Sequence, residues 1–101
     1  MTKLTKMTFQ AFKVSVADTL PPHDLPQLLL ALWYAAKGDW EKAHELSQSD
    51  KSAAGSWVHA YLHRVEGENG NAAYWYQRAG EPICQLSLED EWEQIATSLT
   101  A

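Results

Sequence analysis

The sequence predicts an all-α fold: two stacked helical hairpins with an N-terminal helix and a C-terminal capping helix. Three observations carry this. Segments Leu28–Leu46 and Trp57–Trp75 align at an offset of 29 residues, with Ala31/Ala60, Gly38/Gly67 and Ala43/Ala72 identical. Self-similarity at such a period marks stacked helix pairs, because one pair cannot bury its apolar face alone. Within each segment, apolar residues recur at helical spacing on either side of a glycine. The composition, 46% hydrophobic and 21% charged, suits a packed core rather than disorder. A chain of 101 residues makes one domain. The first repeat is expected at residues 24–48, the second at 53–79 and the capping helix at 87–99.

Taken in order, Phe9, Phe12 and Val16 recur at helical spacing within Thr8–Asp18, and this outweighs the strand-like alternation of Phe12, Val14 and Val16. Leu20-Pro21-Pro22 stops that helix, since proline lacks the amide and restricts the residue before it. Asp24-Leu25-Pro26-Gln27 reads as the next helix start, with Asp24 as the cap and Gln27 placed for a capping box. The helix runs through Lys37 and is apolar over most of its circumference, so it should be central.

Gly38 supplies the left-handed turn and Asp39 the cap of Trp40–Gln48, whose Trp40, Ala43 and Ser47 share a narrow face. A third strong helix, Ala54–Glu66, is expected to turn Trp57, Val58, Tyr61, Leu62 and Val65 inward and His59, His63 and Glu66 away. Gly67 to Asn71 forms a turn, with Asn71 capping Ala72–Ala79. Ser87, followed by Asp90 three residues later, opens the last helix. Its Leu88, Trp92, Ile95 and Leu99 line one side, and Glu89, Asp90 and Glu91 complement the positive end of the helix.

Charge and composition exclude several classes. A net charge of −5 is wrong for a protein that neutralises phosphates, so nucleic acid is not an expected partner. The longest apolar run, Leu28–Ala36, is far short of the roughly 20 residues a membrane helix needs. The single cysteine, Cys84, cannot form an intramolecular disulfide. A cytoplasmic protein that uses neither membrane nor cofactor is the expectation.

The core Leu28–Ala79 resembles two degenerate tetratricopeptide repeats. Small Ala31 and Ala60 stand at the close helix contact, Tyr34 at an aromatic position, Gly38-Asp39-Trp40 and Gly67 at the turns, and Ala43 and Ala72 beyond them. The offset of 29 residues compares with about 34 in that family. The resemblance covers about half of the chain and implies a right-handed α-α superhelix. In such domains the first helix of each hairpin lines the concave side, which would place His59, His63, Arg64 and Glu66 where an extended peptide is held. The stretches Ala31-Leu32-Trp33, Ala36-Lys37-Gly38-Asp39-Trp40, Trp57 to Arg64 and Asn71 to Tyr76 are also similar to a group of small bacterial proteins of uncharacterised role.

The functional expectation is therefore a protein-interaction module whose partner is a protein or peptide segment. Its contact residues are His59, His63, Arg64 and Glu66, with Tyr74 and Arg78, four apart on the outer side of their helix, as a second patch. No serine sits in a nucleophile elbow, and there is no glycine-rich phosphate loop, so no catalytic residue is named. His59 and His63 have the spacing with which a helix offers two imidazoles to a metal, but a third ligand would have to come from another element, His44 or Glu68. No metal is demanded by this pattern, and a solvated polar face, in which a histidine packs or hydrogen-bonds to a neighbour, is the preferred explanation. Two alternatives stand beside the interaction module: a metal-dependent or acid/base enzyme using His59, His63 and Glu66, and a self-associating structural subunit, a homo-oligomer.

Overall fold

The computed structural model describes residues 7–100, and among them six helices and no strand occur. Helix α1 spans Phe9–Ser15, α2 Gln27–Ala36, α3 Trp40–Gln48, α4 Ala53–Val65, α5 Asn69–Ala79 and α6 Leu88–Leu99. None of them is long and apolar enough to cross a membrane.

Helical spacing prevails in α1: Phe12 is fully buried while Val14 is 70% exposed. Thr8 caps the helix by accepting from the Ala11 amide. The element is shorter than expected, because after Ser15 the amides of Val16 and Ala17 bond three residues back, to Lys13 and Val14. Lys37 then satisfies the freed carbonyls of Val16 and Asp18 at 2.8 and 2.9 Å.

Helix α2 begins later than the cap reading implied. Asp24 has a left-handed φ of 62° and serves a turn, and Pro26 takes the N-cap position without a side-chain cap. Proline holds the residue before it away from helical geometry, so the helix cannot start at Leu25. Gln27 reaches out of the helix instead and donates to the Leu46 carbonyl at 2.7 Å, tying α2 to the end of α3.

The two hairpin turns are conformational copies. At α2–α3 the residues Lys37, Gly38 and Asp39 end one helix and cap the next, and Glu66, Gly67 and Glu68 do so at α4–α5. Gly38 and Gly67 have φ of 86° and 77°, a region that penalises any Cβ. Asp39 and Glu68 share φ −94°, with ψ 78° and 72°. Their amides bond to the carbonyls of Tyr34 and His63, each at 2.9 Å. Because Glu68 occupies the position equivalent to Asp39, α5 starts at Asn69 and Asn71 is not its cap. This corrects the sequence expectation. Asp39 caps α3 with its carboxylate, whereas the Glu68 side chain is directed elsewhere.

Helix α4 is the hub. It packs on α5 and α3 on one side and on α2 and α6 on the other. Val58, Tyr61 and Leu62 are buried as expected, but so is His59, at 5% exposure, while Val65 is 39% exposed. A helix with neighbours on two sides buries more than one stripe, and the side assigned to solvent is the one facing α3 and α5. The main core gathers Phe12, Leu28, Leu32, Trp33, Leu62 and Ile95, and a second small cluster holds Ala60, Ala72 and Tyr76.

The indoles act as cross-ties. Trp33 donates to Ser15 O, Trp40 to Leu62 O, Trp57 to Glu91 Oε2 and Trp92 to Leu32 O, at 2.7–3.2 Å. Ser87 caps α6 as expected. Glu91 stands in the acidic first turn with Glu89 and Asp90, and unlike them it is fully buried.

Ser52 caps α4 and is itself held by Asp50, which accepts from its amide and its hydroxyl at 2.9 and 2.6 Å. This loop crosses Gly55 so closely that a Cβ there would lie 2.3 Å from the Asp50 carbonyl oxygen. Gly55→Ala is therefore expected to destabilise the protein by about 1–3 kcal/mol in urea unfolding, despite alanine's better helix propensity. A gain in stability would show that the loop does not press on the helix.

Candidate metal centre

The i, i+4 spacing on α4 sets His59 and His63 one turn apart on the side that meets α3. From α3, His44 projects into the same contact, and one ring nitrogen from each of the three histidines lies within 4.8 Å of the others. His44 and His59 approach most closely, Nε2 to Nε2 at 2.9 Å. The His59 and His63 rings stack at 4.8 Å between centroids, and His44 stands edge-on to both.

An outer layer orients these rings. Trp40, one turn before His44, stacks on its ring at 4.6 Å and is itself pinned by its bond to Leu62 O. Trp75, on α5, stacks on His59 at 3.9 Å, with an interplanar angle of 12°. At the second hairpin turn, Glu68 Oε1 meets His63 Nδ1 at 2.7 Å. The carboxylate that could have capped α5 thus orients a histidine.

The hydrogen bonds constrain the protonation. Two Nε2 atoms at 2.9 Å need one N–H and one lone pair, so at least one of His44 and His59 is a neutral imidazole. Burial, reinforced by the other two histidines, pulls His59 from an ordinary 6.5 down to about 4. His44 is lowered by burial and then by His63. Glu68 is held below the usual carboxylate range, first by its bond with His63. With Nδ1–H of His63 donating to Glu68, its Nε2 is the nitrogen left free. Burial thus favours the neutral form of His44 and His59, the form that binds metals once the proton shared between their Nε2 atoms has left.

Around a tetrahedral zinc with Zn–N of about 2.0–2.1 Å, ligand nitrogens stand about 3.3–3.4 Å apart. The 2.9 Å pair is tighter than this and the widest separation, up to 4.8 Å, is looser. Glu68 on His63 supplies the carboxylate–histidine pairing that fixes ring orientation and raises ligand basicity at metal sites.

The other residues singled out in the sequence lie elsewhere. Arg64 donates to Glu91 Oε1 at 2.7 Å and to the Leu86 carbonyl, joining α4 to α6 and the loop before it. Glu91 also accepts from Tyr76 Oη at 2.5 Å and from Trp57 Nε1 at 3.2 Å. Glu66 ends α4 and is exposed. Tyr74 is 52% exposed, and Arg78 donates to its hydroxyl while lying 5.4 Å from the Trp75 ring centroid. The buried Glu91 had a legible signal: with Ile95 and Leu99 it falls at i, i+4, i+8 on the apolar side of α6.

No protein-family model, curated protein or solved structure matches the chain.

Proposed function

We propose that the protein binds a divalent transition-metal ion of the zinc type through His44, His59 and His63. The observation that supports this reading is the convergence of three imidazoles from two helices, one of them backed by Glu68. An all-imidazole donor set suits zinc, copper, nickel or cobalt and is a poor match for calcium or magnesium, which take oxygen ligands. The ion would clamp α3 to α4, and so one hairpin to the other.

Equilibrium dialysis of chelator-treated protein against zinc, with thermal unfolding in parallel, tests the proposal. One equivalent of zinc and a raised Tm are expected for the native chain, and neither for His59→Ala/His63→Ala. Glu68→Ala, which leaves all three ligands in place, should bind zinc about 10–100-fold more weakly. A native chain that leaves dialysis without zinc refutes the reading.

The repeated turn geometry at Gly38-Asp39 and Gly67-Glu68 supports a second reading, stacking of the tetratricopeptide type in a protein-interaction module. Its contact surface would centre on the exposed Glu66, Tyr74 and Arg78, since His59 is buried and Arg64 is engaged by Glu91. Light scattering over a concentration series separates a partner-binding monomer from a self-associating subunit.

A further inference from the structure

We infer that the ion held by His44, His59 and His63 keeps one coordination position for an exchangeable small ligand, water or a small anion. This rests on the metal reading of the same cluster. Among the described residues the group contains three donors and no fourth, whereas zinc is almost always four-coordinate when protein ligands close the site. Three protein ligands with an open vertex is the arrangement of sites that bind or activate a small molecule.

Glu68 does not fill the vertex. It sits against Nδ1 of His63 and is not in the group of donors that lie within 4.8 Å of one another, so it orients a ligand rather than becoming one. The indoles do not fill it either, because Trp40 and Trp75 cover the faces of His44 and His59 with stacked rings that offer no lone pair toward an ion. His59 is buried while His44 and His63 are only half-buried, so the approach from solvent lies along their side of the cluster.

Charge favours an anion. Neutral imidazoles cancel none of the ion's two positive charges, and Glu68 offsets them only from the outer layer. Among the described residues the rival is Glu41, an exposed carboxylate one turn before His44 on α3 and close enough to influence its charge state. Rotated inward, it would close the site.

The test loads cobalt(II) into the full-length protein, since its visible bands report coordination, and titrates in sodium azide. The native chain and Glu41→Gln are both expected to give a saturable, one-to-one spectral change of the same amplitude, and His44→Ala to lose it. If cobalt does not bind at all, the metal reading fails. If cobalt binds with bands that azide leaves unmoved, the metal reading stands and the open vertex is refuted. A response seen only in Glu41→Gln assigns the fourth position to Glu41, and this too overturns the inference.

Discussion

Arg64→Met is expected to cost about 3–5 kcal/mol in urea unfolding followed by tryptophan fluorescence, a large share of a small domain's stability. The reason lies on α6. Glu91 is fully buried, and its carboxylate receives Arg64, Tyr76 and Trp57. The tyrosine hydroxyl and the indole are neutral donors, so Arg64 alone balances the charge. Methionine keeps most of the packing volume and strands that charge where water cannot reach it. Burial next to Glu91 also drives the Tyr76 phenol pKa upward, so it remains a donor at all ordinary pH values. Adding Glu91→Gln to Arg64→Met should restore part of the loss, because the amide oxygen still accepts from Tyr76 and Trp57 without carrying charge. A single substitution costing less than about 1 kcal/mol, the range of a surface pair, would show that the contact is a surface ion pair in energetic terms.

The metal-free protein should also lose stability on mild acidification, by about 2–3 kcal/mol between pH 7 and pH 4, through His59. Its native pKa is about 4 against an ordinary 6.5. Below 6.5 the unfolded chain takes up a proton that the native ring refuses, so unfolding gains protons and native stability falls with pH. The loss levels off near pH 4, where the native ring also protonates. Each unit of displacement corresponds to about 1.4 kcal/mol. The lowered His44 acts in the same direction. Urea midpoints of native chain and His59→Gln, both in chelator, check this: the native chain should lose clearly more than the variant between pH 7 and pH 5. Equal losses would place the His59 ring in water.

Local signals foretold most of the helices and failed at two of their starts. Gly38-Asp39 and Ser87 act as their residue types suggest, because a left-handed glycine and a short capping side chain are local requirements. Asp24 and Asn71 are equally good caps by type. At the first, Pro26 displaced the helix start; at the second, the turn shared with the first hairpin placed Glu68 at the cap and spent its carboxylate on His63.

Half of the candidate centre was legible in the same way. The His59/His63 pair follows from i, i+4 spacing, but the arrival of His44 depends on how α3 is set against α4, which no spacing within either helix encodes. The burial of His59 was hidden for a related reason. Hydrophobic periodicity marks the stripe of α4 that meets α2 and α6, while the side that meets α3 and α5 is built from Ser56, His59, Ala60 and His63 and reads as polar.

Three imidazoles that converge between α3 and α4 are the centre of the proposed metal site. Long-range proton–nitrogen correlation spectra of the histidine rings, recorded while chelator-treated protein is titrated with zinc, test it most directly. The Nε2 signals of His44, His59 and His63 should shift together and saturate at one equivalent, with His63 Nδ1 still protonated against Glu68. Spectra in which the three rings titrate independently, or in which zinc leaves them where they were, would contradict it.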